Sequence, residues 1–444
     1  MRRRLLMTAA LSGAFLLLFA LVVGVAAPVT IQYAYWGDQN EEITQTNLTK
    51  VFMAKNPNIK VDLLRFARNT EFSQKMTTLA AAGNLPDVST FYEPNVLEWG
   101  MAGKFLDLTD FYKKGSPKLD AIKFVTPDGK IVGVSVANEI MVIWYNKKIF
   151  DAAKLPYPPA EASKAWSWNQ FVDVAKKLTK DAKGKTPNDA GFDKNNIRTY
   201  GFWVSQWWMP WLTFAASNGG GMVSPDGKKL IMDDPATIDA IQKMADLMNV
   251  HHVSPTPTSQ QNMPGDTATY LFSGQVAMVM DGTWMLLTLG TTKEQQGLDF
   301  GVGVLPYMKK LATTSVGTPI VAYSSTKHRN ETLAFLGFLM DPASSLPLLQ
   351  SGIWLPNEKQ WYTDPTLLQK WIGNPRHPPE YKTAVVDFAL NYSRQLPLYY
   401  CPTFAKMDDV IEAALAQVWL GQKKAADVIK KEIMPKITPI FQGK

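Results

Sequence analysis

From Val29 onward, short runs with strand-like apolar spacing are separated by longer stretches with helical spacing. Val29 to Trp36 alternates polar and apolar residues as a strand does. Glu41 to Lys55 has helical spacing, with Ile43, Leu48, Val51 and Phe52 expected to face inward and Asn56-Pro57 as the stop. Ile59 to Leu64 forms the second strand, Phe72 to Ala82 a helix ended by Gly83, and Asp87 to Phe91 a third strand. A β-α-β-α-β order implies a parallel sheet flanked by helices, with ligand sites beyond the carboxyl ends of the strands. Trp36-Gly37-Asp38 and Tyr92-Glu93 sit at those ends.

Further along, Ile131 to Tyr145 reads as a pair of strands, and Pro156, Pro158 and Pro159 as a linker. Ser167-Trp168-Asn169-Gln170 fits a capping box before a helix burying Phe171, Val172, Ala175 and Leu178. Asp234-Pro235 opens another helix, with Ile238, Ile241, Ala245 and Met248 on one face. Pro255 to Asp266 is a polar loop, and Val276 to Met280 and Asp299 to Leu305 are strands. Met407 to Leu420 is a helix with Val410, Ile411, Leu415 and Val418 inward, closed by Gly421.

The first 27 residues follow none of these patterns. Arg2, Arg3 and Arg4 precede an apolar run from Leu5 through Val25 and then Ala26 and Ala27, the layout of a secretory signal peptide. An uncleaved membrane anchor fits the same segment, because Pro28 disfavours a cut directly after Ala27; a cut after Ala26 stays available. With no cysteine at that point, the chain is not expected to be a lipobox lipoprotein. No later stretch has the ~18 uninterrupted apolar residues of a spanning helix. The expected location is the periplasm or the outer face of the cytoplasmic membrane.

Without those three arginines the formal charge falls from +7 to +4, so basicity gives no reason to expect nucleic acid as a partner. Among 444 residues, 46% apolar and 19% charged, there is room for about two to three globular domains. The single cysteine, Cys401, cannot form an internal disulfide, and with four histidines a metal enzyme is not expected. His251 and His252 are adjacent and would diverge by about 100° on a helix, away from any shared metal. No P-loop, GxGxxG, HExxH or CxxC occurs, and Gly133-Val-Ser135-Val-Ala137 lacks the closing glycine of a nucleophile elbow. No cofactor is implied. A pair of carboxylates cleaving glycosidic bonds remains compatible with the sequence.

The 14 tryptophans are the feature with chemical content. Trp203, Trp207, Trp208 and Trp211 fall within nine residues, beside Gly219-Gly220-Gly221. Indole faces suit the C–H faces of pyranose rings, and carboxylates and amides suit the hydroxyl rim. One or two of these rings are expected to face ligand and the others to pack in a core, as Trp166 and Trp168 are.

The order of motifs resembles the family 1 extracellular solute-binding proteins, the sugar-capturing components of ABC importers, from about residue 30 to 440. The matching stretches include Tyr35-Trp36-Gly37-Asp38, Ala80-Ala81-Ala82-Gly83-Asn84-Leu85-Pro86-Asp87-Val88, Trp144-Tyr145-Asn146-Lys147-Lys148-Ile149-Phe150, Phe272-Ser273-Gly274-Gln275-Val276-Ala277-Met278, Asp281-Gly282-Thr283-Trp284 and Gly421-Gln422-Lys423-Lys424. The resemblance implies an α/β, two-lobed periplasmic-binding-protein fold. Each lobe is expected to be a mainly parallel sheet flanked by helices, with three interlobe crossings, at Val136 to Glu139, near Val316 to Pro319 and near Gln350 to Pro356. The N-terminal lobe would then be 28–136 and 318–345, and the C-terminal lobe 137–317 and 346–444, after a signal peptide at 1–27.

It also implies a monomer that closes on a mono- or oligosaccharide and hands it to transmembrane permease subunits, without catalysis. Carried onto this chain, the ligand-binding candidates from the first lobe and first crossing are Trp36, Asp38, Arg68, Tyr92, Glu93, Asn138 and Glu139. From the second lobe and third crossing they are Trp203, Trp207, Trp208, Asp281, Gly282, Trp284 and Trp354, with Gly282 admitting ligand close to the backbone. The family also holds receptors for glycerol phosphates. No arginine cluster here favours an anion, and an exported glycan-cleaving enzyme is the alternative from another class.

Overall fold

The computed structural model describes residues 27–113, 123–263 and 265–443. The expected signal peptide lies outside the described residues except for Ala27. Two six-stranded sheets organise the chain. The first runs in the order β2-β1-β3-β13-β5-β4, from β1 (Val29–Trp36), β2 (Ile59–Phe66), β3 (Val88–Thr90), β4 (Lys123–Val125), β5 (Ile131–Ser135) and β13 (Pro319–Ala322). The second runs β14-β12-β6-β10-β9, with β11 also on β6. Its strands are β6 (Glu139–Asn146), β9 (Trp203–Val204), β10 (Met278–Gly282), β11 (Phe300–Gly303), β12 (Thr313–Val316) and β14 (Ser393–Gln395). A small separate ribbon pairs β7 (Lys180–Asp181) with β8 (Ile197–Thr199).

β1 pairs in parallel with β2 along its whole length and with β3 at Tyr33 and Ala34, as the helical crossovers Gln39–Lys55 and Asn69–Ala82 require. Beyond this block both sheets are mixed, which corrects the expectation of mainly parallel sheets. β13 runs antiparallel to β3 and β5, and β6 antiparallel to β10, β11 and β12. β5 and β6 do not pair with one another as expected: β5 closes the first sheet and β6 is the centre of the second. All eight residues of β6 are buried, and a strand covered on both faces and both edges shows no alternation to read.

The chain passes between sheets at Val136–Asn138 and returns at Gly317–Thr318. A third strand of backbone lies alongside these: the Asn138 N–H donates to the Leu355 carbonyl at 3.0 Å, and Asn357 Nδ2 donates to the Ser135 carbonyl at 3.2 Å.

The helix Trp168–Leu178 has the expected capping box, and Phe171, Val172, Ala175 and Leu178 are buried as its spacing predicts. The helix Gln39–Lys55 departs from expectation. Ile43 and Val51 are exposed, at 54% and 40%, and the inward stripe is Gln45, Leu48, Thr49 and Phe52. Those positions keep the i, i+3, i+4, i+7 spacing of one helix face. The Thr49 hydroxyl meets its hydrogen-bonding need on the Gln45 carbonyl at 3.0 Å, so a polar residue can lie inside.

Candidate functional site

The carboxyl ends of β1 and β3 face the second sheet across a cavity of about 380 Å³. That lies within the range of small-molecule sites, about 300–1,000 Å³. Trp36, the last residue of β1, stands on its first-lobe wall with the indole tilted against Phe72 at 5.1 Å between ring centroids. Asp38 follows and caps the helix Gln39–Lys55. Its Oδ1 accepts the N–H groups of Asn40 at 2.8 Å and Glu41 at 2.9 Å, which leaves Oδ2 toward Thr288 of the opposite wall, 3.4 Å from its hydroxyl.

Gly37 makes room for what comes next. A Cβ there would overlap the Glu41 carboxyl, which folds back over the turn into the cavity. Burial raises this carboxyl to about 8, with repulsion from Asp38 adding to it.

Past β3, Tyr92 and Glu93 lead into a short helical turn. The Tyr92 hydroxyl accepts the Trp208 Nε1–H of the facing lobe at 3.0 Å. Glu93 lines the cavity, and burial pushes its carboxyl up to about 8. Glu139 enters from the first crossing, only 6% exposed, with Oε1 accepting the Thr318 hydroxyl at 3.1 Å. Burial, and next the charge of Glu93, raise it well above the carboxylate range.

The second lobe supplies three indoles. Trp208 is buried and meets Trp207 edge to face at 4.7 Å; Trp207 is half-buried and lies tilted to Trp284 at 6.3 Å. Trp354 closes the floor, 2% exposed, beside Ile353.

Of the fourteen candidates, nine therefore line one cavity: Trp36, Asp38, Tyr92, Glu93, Glu139, Trp207, Trp208, Trp284 and Trp354. Five do not. Arg68 is exposed, and its neighbour Asn69 faces the cavity instead. Asn138 points to the other side of the crossing, where Nδ2 donates to the Tyr362 hydroxyl at 3.2 Å. Trp203 packs against Tyr270 at 6.1 Å, away from the cavity, with its Nε1–H buried and unpaired. Asp281 spends its carboxylate on structure: Oδ1 accepts the Gly282 N–H at 2.7 Å, and Oδ2 the Thr267 hydroxyl at 3.0 Å.

Gly282 makes room for a side chain and not for a ligand, because a Cβ at that position would lie 2.1 Å from the Trp284 ring. Trp211, the remaining member of the cluster, is core.

Sequence reasoning missed Glu41, Asn69, Thr288 and Thr318. Glu41 and Thr318 carried a signal: one lies three residues after a capping aspartate at a strand end, the other inside the second crossing. Asn69 and Thr288 are single polar residues of helices, with nothing in their spacing to set them apart.

The cavity combines indole faces and four carboxyls with the neutral polar groups of Asn69, Thr90, Tyr92, Thr288 and Thr318. Among the described residues no group of three or more His, Cys, Asp or Glu could hold a metal ion, and no helix is long and apolar enough to cross a membrane.

Comparison with known proteins agrees with this architecture. The family model described as bacterial extracellular solute-binding protein matches residues 32–345. A multiple sugar-binding protein of Streptococcus mutans is 24% identical over 327 residues, 70% of this chain and 71% of that one. Among solved structures, an ABC substrate-binding protein of Listeria monocytogenes in complex with cycloalternan superposes with a TM-score of 0.78 at 22% identity, covering 94% of this chain and 99% of that chain. A solute-binding protein of Thermotoga lettingae bound with α-D-tagatose has a TM-score of 0.74 at 19% identity, covering 93% and 100%.

Proposed function

The chain belongs to the bacterial extracellular solute-binding protein family, and from that premise we propose that it captures a carbohydrate between its two lobes and delivers it to the permease subunits of an ABC importer. The lobes are taken as 28–136 with 318–345 and 137–317 with 346–444, hinged at the crossings. The protein acts as an exported monomer, with its signal segment either removed or kept as the tether and without a lipobox cysteine.

The observation that carries the proposal is the interlobe cavity, which Trp36, Trp207 and Trp284 line together with carboxyls and hydroxyls. Indoles stack on pyranose faces, and the rim pairs with hydroxyls that closure removes from water. The names of the relatives support the same reading, since those proteins bind sugars.

A glycan-cleaving role for Glu93 and Glu139 is less well supported. A retaining or inverting pair needs one carboxyl protonated and the other ionised, and here burial raises both. Incubation with oligosaccharides is expected to release no new reducing ends; steady release would make it an enzyme. A panel of neutral sugars, amino sugars and glycerophosphodiesters tested by thermal shift decides the solute class. A ligand at 100 times its Kd stabilises the protein by about 2.7 kcal/mol.

A further inference from the structure

Four carboxyls line the interlobe cavity, those of Asp38, Glu41, Glu93 and Glu139, and no lysine, arginine or histidine does. None of the four takes part in an ion pair among the described residues. The cation nearest in effect, Arg65, is committed elsewhere: its Nε pairs with Glu42 at 2.9 Å, and a terminal nitrogen donates to the Gly37 carbonyl at 2.9 Å. Glu139 is 94% buried by its 6% exposure, and only Oε1 is paired; Oε2 accepts no hydrogen bond among the described residues. Behind Tyr92 the charge pattern continues. Asp408 is buried to 6% exposure with an unpaired Oδ1, and Glu412 and Asp409 follow on the same helix.

A neutral ligand closing this cavity brings no counter-charge to the carboxyls of Glu41, Glu93 and Glu139, which then either hold their protons or ionise away from water at a cost. An ammonium group reverses that balance. It brings three donors and a positive charge to a wall with four carboxyls and no cation, and the faces of Trp36, Trp207 and Trp284 attract a cation through their ring quadrupoles.

We propose that the ligand is a saccharide carrying a protonated nitrogen, an amino sugar or a short oligomer of one, whose ammonium sits against Glu139 and Glu93 while its ring stacks on the tryptophans. This rests on the reading of the chain as a sugar receptor and specifies the sugar class.

The test is calorimetry on the full-length mature protein at a pH where the sugar amine is protonated. The probes are glucosamine, N-acetylglucosamine and glucose, together with their β-1,4-linked disaccharides. The amine is expected to bind about tenfold or more tighter than its acetylated and hydroxyl counterparts. That preference is expected to shrink as salt rises from about 0.05 M to about 0.5 M. Glu139→Gln is expected to bring the ratio of amine to neutral-sugar affinity, measured within the variant, close to one, with Glu93→Gln as the second variant and thermal melting as the check on folding.

Equal or tighter binding of the neutral or acetylated sugars overturns the amine proposal and leaves the sugar receptor standing. If none of the six sugars binds and a glycerophosphodiester does, both readings fail.

Discussion

The Tyr92 hydroxyl accepts the indole N–H of Trp208 at 3.0 Å, joining the end of a first-sheet strand to the first turn of a helix that packs on the second sheet. Trp208 is 1% exposed, so its N–H has no ready substitute partner in water. Tyr92→Phe is expected to cost the closed form about 1–3 kcal/mol, the price of leaving a buried donor unpaired. Small-angle scattering of the ligand-free protein should show a larger radius of gyration in the variant, with thermal melting little changed. An unchanged radius would mean that this bond does not hold the lobes together.

Trp284 is the clearest stacking candidate because its indole is half-buried on the cavity wall. Trp284→Ala should weaken ligand binding by more than about 1 kcal/mol with the fold intact. Gly282→Ala should weaken it too, since the new methyl would occupy the place of the Trp284 ring. Calorimetry on both variants checks the pair. Normal affinity in Gly282→Ala would show that the indole can move aside without loss.

Trp211, three positions beyond Trp208, should behave in the opposite way. It is 1% exposed and lines no part of the cavity. Trp211→Ala is expected to destabilise the fold by about 3–5 kcal/mol through the void it leaves. Denaturant melts that placed it near wild type would remove it from the core.

Buried carboxyls, Glu41 and Glu93 in the cavity and Asp408 outside its lining, make stability fall as pH rises. Glu41, Glu93 and Asp408 titrate near 8 in the folded protein because burial disfavours their charged forms, whereas unfolded carboxyls titrate near about 4. Between those values the folded state holds more protons, so stability drops with increasing pH. His377, buried and lowered to about 3, works in the other direction but only below its unfolded value of about 6.5. The window from about pH 6.5 to 8 therefore isolates the carboxyls. The ligand-free melting temperature should decline across it, and Glu93→Gln should flatten the decline. A flat wild-type profile would place these carboxyls in water.

How much of this was readable in advance varied with the physical signal. The capping box at Ser167 and the helix behind it were legible because an amphipathic spacing and a local hydrogen-bond motif agreed. The strand ends at Trp36 and Tyr92 were legible because β-α-β order dictates where parallel strands point their loops. The inward face of Gln39–Lys55 was not, since a threonine satisfied by its own helix can be buried without an apolar signature. Nor could the division of the tryptophans be read: Trp207 and Trp208 both line the cavity while Trp211, three positions on, is core, and that split depends on contacts far away in the chain, such as that of Trp208 with Phe404. Of the five candidates that missed the cavity, Asn138 and Asp281 sit at the expected places in the chain but turn their side chains to backbone and hydroxyl partners nearby.

β13 lies in the middle of the first sheet, between β3 and β5, yet it is synthesised after five of the six strands of the second. The Ser89 and Tyr323 hydroxyls that meet across it at 2.9 Å are 234 residues apart in the chain. A ribosome delivering this sequence from its N-terminus produces β3 and β5 with bare edges long before their partner exists. Pairings of such large separation are slow to form, and unpaired edges invite association with other chains. The first sheet thus cannot close until most strands of the second have been made, and during that interval the nascent protein stays an open-edged, holdable chain, the state that a chaperone or a translocation machinery can engage.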